Sequence, residues 1–315
     1  MPAPPPLLDA IAAMAFPTDA QRLFHGRGGL FPGCEHLALD AFPPVLLLTS
    51  FEPLDDAVLA AVGEVLATRW PQIAPAGEPL NWVYQCRQEG GRTETRLMAG
   101  TVPEPHVVTE AGTRYGVHLL RGQNHGLFLD MAEGRRWVRE HVPPGAKVLN
   151  LFAYTCAFSV VALQAGASEV VNVDMASGAL ALGRANHELN GVKAGARFLA
   201  HDIFNSWGKL TRGGPYDLVI CDPPSFQKGS FVATKDYERL ARRLPALLAP
   251  SGHALLCLNT PKLGLEFLRD VMATHAPELA FVARVANPAA FNDASEDRAL
   301  KVVAYRAAAL AVDKR

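Results

Sequence analysis

The run from Lys147 to Val192, KVLNLFAYTCAFSVVALQAGASEVVNVDMASGALALGRANHELNGV, constrains this chain more than any other stretch. Val148 to Phe152 is an apolar run of strand length, and Ala153, Tyr154, Thr155 and Cys156 follow as a turn. Val160, Val161 and Leu163 then fall at helical spacing. A second apolar run, Val170 to Val173, ends at Asp174, and a further helical pattern runs through Ala179, Leu182 and Ala185. A strand, turn, helix and second strand closed by an acid make the repeating unit of a doubly wound parallel sheet. In such sheets ligands lie beyond the carboxyl ends of the strands. An acid about twenty residues past the first turn holds ribose hydroxyls there. Asp174 stands at that distance, so a nucleoside-containing cofactor is expected.

The turn argues against a dinucleotide. No G-x-G-x-x-G lies between Asn150 and Ser159, and a pyrophosphate needs those glycines so that backbone N–H groups can approach it. A nicotinamide oxidoreductase is therefore disfavoured. A nucleoside without phosphates suits the turn, and S-adenosylmethionine is such a molecule. The competing reading is a strand–helix–strand unit that binds nothing at this point.

The sheet continues downstream. Ala196 to Ala200 is a third strand ending in His201 and Asp202, and Tyr216 to Cys221 is a fourth. A helix over Lys235 to Leu248 leads through Pro250-Ser251-Gly252 to a strand at Ala254 to Leu258, with Asn259 behind it. Leu263 to His275 is helical, and Phe281 to Val285 and Lys301 to Tyr305 are two last strands with no helix between them. That closing pair leaves one strand antiparallel in a seven-stranded sheet.

Upstream the pattern is different. MPAPPPLL lacks the charged start and long apolar run of a signal peptide, and its prolines suggest a flexible lead-in over residues 1–17. Arg22 to Gly33 reads as loop, Leu37 to Asp40 and Val45 to Thr49 as strands around Pro43-Pro44, Val58 to Trp70 as an amphipathic helix, and Trp82 to Arg87 as a strand. This gives a small α+β domain over 18–113. Tyr115 to Leu120 and Leu127 to Leu129, separated by Gly122, Asn124 and Gly126, read as a hairpin opening the larger domain, 114–315. Met131 to His141 is a helix ahead of the strand at Lys147.

Asp222-Pro223-Pro224-Ser225-Phe226, directly after the fourth strand, is the segment richest in chemistry. Two prolines with fixed φ and no N–H hold the backbone stiffly away from sheet pairing. Methyl transfer from a sulfonium is a direct displacement, needing only a nucleophile held in line with the methyl carbon. A carboxylate or carbonyl accepting N–H from an exocyclic amine frees its lone pair, whereas a ring nitrogen needs orientation alone. Phe226 offers a face on which an unstacked base can lie. The plainer reading of this pentapeptide is a rigid turn with a buried Phe.

Taken together, these segments resemble the bacterial large-subunit rRNA methyltransferase family. The resemblance is carried by Leu127-Phe128-Leu129-Asp130, by Asn150-Leu151-Phe152-Ala153-Tyr154-Thr155-Cys156, by Val173-Asp174-Met175-Ala176 and by Asp222-Pro223-Pro224-Ser225-Phe226, in order. It implies an α/β fold, a class I methyltransferase with a Rossmann-like seven-stranded sheet, using S-adenosylmethionine on RNA. It further implies that Phe128 and Asp130 meet or cover the amino-acid end of the cofactor. Asn150, Phe152 and Tyr154 would line the first turn, Asp174 would hold the ribose, Met175 would lie against adenine, and Asp202 would accept from the adenine amino group. Asp222, Pro223, Pro224 and Phe226 would grip the acceptor.

Two positions depart from or divide that family. Cys156 stands where many members have glycine; a φ above zero there would strain a cysteine, whereas a right-handed turn would tolerate it. Cytosine-C5 methylation needs a cysteine nucleophile; in the cytosine-modifying branch of the resembled family it follows the fifth strand, where this chain has Asn259. Cys221 and Cys257 are read as core thiols. Asn259 resembles the guanine-modifying branch of that family better, which implies a base nitrogen, guanine favoured, as the target in rRNA.

Charge neither adds to nor removes this reading. The formal net charge is -1, so any nucleic-acid contact must be local, and methylation of a protein or small molecule is the alternative it favours. Lys228, Lys235, Arg239, Arg242 and Arg243 after the proline turn fit either a phosphate-steering surface or a solvated helix face. Arg22, Arg27, Arg87, Arg92 and Arg96 are read as solvated charge rather than a basic face. A catalytically weak RNA-binding or assembly protein that keeps the fold is the reading from another class. Five scattered cysteines without a C-x-x-C pair indicate reduced thiols, no metal site and a cytoplasmic protein. No apolar run has the length of a membrane span.

Overall fold

The computed structural model describes residues 3–88, 90, 92–224, 226–227 and 231–309. These form two compact units. The first holds the residues up to Asp130 together with Pro288–Ser295, and the second holds the remainder. The division thus falls later in the chain than the 113/114 boundary expected from sequence, and the first unit takes back a short downstream segment.

The first unit contains α1 (Pro5–Ala13), β1 (Gln21–His25), β2 (Leu37–Phe42), β3 (Val45–Ser50), α2 (Asp56–Ile73), β4 (Asn81–Arg87), β5 (Thr93–Ala99), β6 (His106–Glu110) and β7 (Thr113–Val117). Strands β1 to β5 form one sheet in chain order, antiparallel except for the β3–β4 pair that α2 connects. Helix α2 buries Val58, Leu59, Val62, Leu66 and Trp70 on one face, the 3.6-residue pattern visible in the sequence.

Three expectations need correction here. The lead-in at 1–17 is not a flexible segment over α1. Its prolines occupy the first helical turn, where a fixed φ assists helix formation, and Leu7 and Ile11, four apart on one face, are fully buried in the α2 core. Arg69 on α2 holds its end, donating to the Met14 carbonyl at 3.0 and 2.7 Å. The loop expected at Arg22 to Gly33 begins as strand β1, with Arg22 opposite Asp40. The hairpin is β6–β7, one strand earlier than read, because Ala111 (φ 47°) and Gly112 (φ 77°) supply the two left-handed residues of a tight turn. Leu127 to Leu129 is not a strand.

The second unit contains α3 (Ala132–His141), β8 (Lys147–Leu151), α4 (Ala157–Gln164), β9 (Glu169–Asp174), α5 (Ser177–Leu189), β10 (Ala196–Ala200), α6 (Trp207–Gly213), β11 (Tyr216–Cys221), β12 (Phe226–Gln227), β13 (Phe231–Val232), α7 (Ala233–Ala241), α8 (Leu244–Leu247), β14 (Leu248–Leu258), α9 (Leu265–His275), β15 (Leu279–Val285) and β16 (Lys301–Ala307). The seven-stranded sheet runs β10-β9-β8-β11-β14-β16-β15, with β16 antiparallel to both neighbours. This is the class I methyltransferase Rossmann-like order expected. The helix read over Lys235 to Leu248 is two, α7 and α8, with Pro245 in the first turn of the second.

Apolar side chains cover both sheet faces. Leu149, Leu151, Val219 and Leu256 pack on one side with α7, α8 and α9; Val148, Ile220, Leu255 and Cys257 pack on the other with α3 and α4. From β8 the chain winds outward one way to β9 and β10, and from β11 the other way to β14. The boundary between β8 and β11 is therefore the topological switch point, where ligands of open α/β sheets bind beyond the strand ends.

Candidate active site

The turn leaving β8 is built without glycine and yet is left-handed at alternate residues: Phe152 has φ 58°, Tyr154 φ 46° and Cys156 φ 59°. Each such residue costs about 1–2 kcal/mol, so the turn must be held from outside. The restraints come from two neighbouring elements. Ala153 N–H donates to Val173 O at 3.1 Å and Tyr154 N–H to Asp174 Oδ2 at 2.8 Å, both at the end of β9. Buried Asn186 on α5 donates from Nδ2 to Thr155 O at 3.0 Å. Cys156 N–H closes the turn on Ala153 O at 2.7 Å. Of the two conformations open to Cys156, the left-handed one is realised.

Asp174 thus has a role the sequence did not reveal: it pins the turn that leaves β8. Its other oxygen accepts from Ala176 N–H at 2.8 Å. Each carboxylate oxygen has taken one donor and keeps a lone pair for another, which is the capacity two ribose hydroxyls require. Met175, beside it, is 55% exposed, an apolar surface at the strand end that suits the face of a purine. Asp202 caps the turn after β10, accepting from Phe204 N–H at 2.9 Å and Asn205 Nδ2 at 2.6 Å. These residues fit an adenosine. Phe152 and Tyr154 are half-buried at the turn itself.

Asn150 lies elsewhere than the turn lining. It is buried within the sheet and opens a polar chain: Asn150 Nδ2 donates to Asn172 Oδ1 at 2.9 Å, and Asn172 Nδ2 to Ser159 Oγ at 3.0 Å. Ser159 Oγ meets His187 Nε2 at 2.9 Å, and His187 Nδ1 meets Gly183 O at 2.7 Å. A carbonyl can only accept, so Nδ1 carries the proton and Nε2 accepts from Ser159. Burial pushes the His187 pKa below its ordinary value and keeps the ring neutral. The chain ties β8, β9, α4 and α5 together beneath the turn. Its sequence signal was a lone Asn in each of two apolar strands, placed in register as Asn150 and Asn172.

The proline turn leaves the adjacent strand. Asp222 N–H reaches Leu151 O at 3.4 Å, so the two turns emerge side by side at the switch point. Asp222 and Pro224 are half-buried and Pro223 is buried. The Phe226 backbone pairs with Val232; its side chain, and Ser225 and Lys228 entirely, lie outside the described residues. An aromatic cluster that sequence reading missed supports this side. Phe231 packs edge-on against Phe152 at 5.4 Å and Tyr237 at 5.6 Å, and lies near-parallel to Phe204 at 6.4 Å. The Tyr237 hydroxyl donates to Cys257 O.

Neither candidate thiol is presented for chemistry. Cys221 and Cys257 are fully buried, on opposite faces of the sheet, and burial pushes the Cys221 thiol up. Asn259 is exposed just past β14. In the basic run on α7, Arg239 is matched by Asp236 at 2.7 Å and stacks over Phe204 at 3.9 Å, and Arg242 meets Glu238 at 3.5 Å. Arg243 lies over Trp207 at 5.9 Å, and Lys235 is exposed. Phe128 and Asp130 belong to the first unit, Phe128 exposed and Asp130 within a short 3-10 turn, Leu129–Met131. Among the described residues no helix is long and apolar enough to cross a membrane.

The sequence pattern of S-adenosylmethionine-dependent methyltransferases matches residues 21–306. The chain belongs to that family. It is 35% identical over 175 residues to ribosomal RNA large subunit methyltransferase I of Aeromonas salmonicida, covering 53% of this chain and 43% of that protein. To the Erwinia tasmaniensis protein of the same name it is 30% identical over 271 residues, covering 82% of this chain and 65% of that protein. The chain therefore spans well under the full length of these relatives. Among solved structures, a Streptococcus mutans protein assigned as a SAM-dependent methyltransferase superposes with a TM-score of 0.79 at 24% identity, over 97% of this chain and 82% of that one. This likeness bears out the fold. Membership in the family bears out S-adenosylmethionine as the cofactor.

Proposed function

We propose that this protein is a cytoplasmic methyltransferase that transfers the methyl group of S-adenosylmethionine to a nucleobase nitrogen, guanine being favoured, in rRNA. The observation that carries the reading is the emergence of the cofactor turn and the Asp222-Pro223-Pro224 turn from neighbouring strands. A donor held at one and an acceptor held at the other would meet over the switch point. The cofactor supplies an electrophilic methyl carbon on a sulfonium. The rest falls to side chains and backbone: Asp174 and Asp202 take the nucleoside, and Met175 backs its base. Asp222 and the carbonyls of the proline turn orient the acceptor nitrogen and accept its N–H, and Phe226 supplies a stacking face.

No covalent adduct is required, which agrees with the burial of Cys221 and Cys257. The names of the relatives support rRNA as the substrate. The test compares modified nucleosides in rRNA from a strain lacking the gene with those of its parent, by mass spectrometry. One missing methylated guanosine, restored by the purified protein and S-adenosylmethionine, is expected. An unchanged nucleoside profile, with no methyl transfer to that RNA in vitro, rejects the reading. Transfer to a protein fraction instead would establish the alternative.

A further inference from the structure

We propose that Arg27 and Arg87 of the first unit form a binding site for a phosphodiester group of the RNA substrate. The choice of RNA rests on the function proposed above; the site itself rests on how the two guanidinium groups are held. Arg87, half-buried at the end of β4, donates from Nε to Gln85 Oε1 at 2.8 Å, and its Nη2 lies 3.0 Å from His125 Nε2. Both partners are neutral, and both are fixed from behind. Gln85 Nε2 donates to Gly122 O at 3.0 Å and to Thr95 Oγ1 at 3.1 Å, so Oε1 must face Arg87. His125 Nδ1 meets His118 O at 2.9 Å, so that nitrogen carries the proton and Nε2 accepts from Arg87.

The guanidinium is thus oriented by two neutral hydrogen-bond partners. Arg27 is exposed with its Cζ over Phe51, 4.0 Å from the ring centroid, and its charge acts on that of Arg87. Arg22 completes the group, but its charge is already spent on Asp40, at 2.5 and 3.1 Å. Of the carboxylates, Asp130 acts on the charge of Arg27 and Asp40 on that of Arg87. Burial and mutual repulsion depress the Arg87 pKa to about 10 and hold His25 and His125 neutral at about 4.

A partly desolvated guanidinium held on neutral acceptors carries a charge that its direct hydrogen-bond partners do not balance. The arrangement suits an anion that arrives from outside. Planar guanidinium groups match phosphate oxygens bidentately, and an arginine stacked on an aromatic ring is a frequent feature of nucleic-acid contacts.

The experiment measures binding of a labelled large-subunit rRNA transcript against salt concentration, for the parent, Arg27→Gln, Arg87→Gln and Arg87→Lys. Each lost phosphate contact should lower the slope of log affinity against log salt by about 0.7, and weaken binding roughly tenfold at low salt. Arg87→Lys keeps the charge, so it should weaken binding while retaining the slope, and Arg27→Gln changes an exposed residue that leaves folding intact. S-adenosylmethionine affinity should stay at the parent value in all three. Parental affinity and slope in both Gln variants, with the parent still methylating RNA, overturns this site and leaves the proposed function standing. Arginine-dependent RNA binding without methyl transfer to any RNA upholds the site and rejects the function. A parent that binds no RNA but binds a polyglutamate peptide through Arg87 overturns the proposal in favour of an acidic protein partner.

Discussion

A Cβ placed on Gly183 would lie 2.5 Å from Cys156 Sγ, so α5 can pass the cofactor turn only because one of the two residues lacks a side chain. Where many members of the resembled family have glycine in the turn, this chain has a buried cysteine in a left-handed conformation, and Gly183 on the packing helix provides the room. Gly183→Ala should therefore destabilise the protein by about 1–3 kcal/mol through overpacking. Cys156→Gly should recover most of that loss in the double variant, since it removes both the clash and the strain. Thermal melting of the four proteins in a double-mutant cycle gives the coupling. Additive losses would show that the two positions are independent.

How far the chain could be read varied with the kind of signal. The strands of the second unit were legible because Val148–Leu151, Val170–Val173 and Tyr216–Cys221 are apolar runs broken only by Asn150, Asn172 and Asp217, as expected of buried parallel strands. Helix α1 was not, because prolines that disqualify a helix interior are harmless at its start. The β6–β7 turn was passed over because Ala111-Gly112 is a weaker hairpin signal than the glycines and asparagine that follow. The left-handed residues Phe152 and Tyr154 leave no trace in composition at all. They follow from restraints supplied by Val173, Asp174 and Asn186, far away in sequence.

Asp174 pins the turn and is proposed to hold the ribose, and the combination sets an expectation. Asp174→Asn keeps an acceptor for Tyr154 N–H but loses the charge, and should weaken S-adenosylmethionine binding by roughly 1.5–3 kcal/mol. Asp174→Ala also releases the turn and should cost more. Titration calorimetry with S-adenosylmethionine, and with NAD as a control that should not bind, measures both. Equal affinities in the parent and both variants would remove Asp174 from the site.

The histidines of the first unit should make it acid-sensitive. His25 and His125 are held neutral, their pKa values lowered from 6.5 to about 4 by burial foremost. The unfolded chain therefore binds more protons than the folded one below pH 6.5. Stability contributed by these groups is complete above pH 6.5 and declines as pH falls towards about 4. His125→Gln keeps a neutral acceptor towards Arg87 and a donor towards His118 O, and should lose less stability over that window. Denaturation midpoints at pH 7, 6, 5 and 4.5 follow the difference; parallel curves for the two proteins would rule out His125 as a contributor.

The thiols lead to a negative expectation. Cys221→Ala and Cys257→Ala should each methylate RNA at rates close to the parent, apart from losses in packing, because both sulfurs lie in the apolar core. A transcript carrying 5-fluorocytosine should give no covalent protein–RNA adduct on a denaturing gel. Appearance of that adduct, abolished by either substitution, would replace a nitrogen target with cytosine carbon.

The acceptor turn separates an enzyme from a binding protein that merely keeps the fold. Asp222 is tied by its backbone to Leu151, the last residue of β8, so its position relative to the cofactor turn is set by the sheet itself. With Asp222 at the reacting centre, as proposed, Asp222→Ala should lower single-turnover methyl transfer about a hundredfold or more while RNA affinity changes little. Phe226 is assigned a ground-state contact: stacking on an unpaired base is worth about 1–3 kcal/mol, so Phe226→Ala should weaken RNA binding and transfer together. Neither change should move S-adenosylmethionine affinity. Single-turnover assays run beside RNA and cofactor titrations read all three quantities on each variant. Parental transfer rates in both variants would place the acceptor elsewhere, since a turn that grips the base cannot lose its carboxylate and its stacking face without effect.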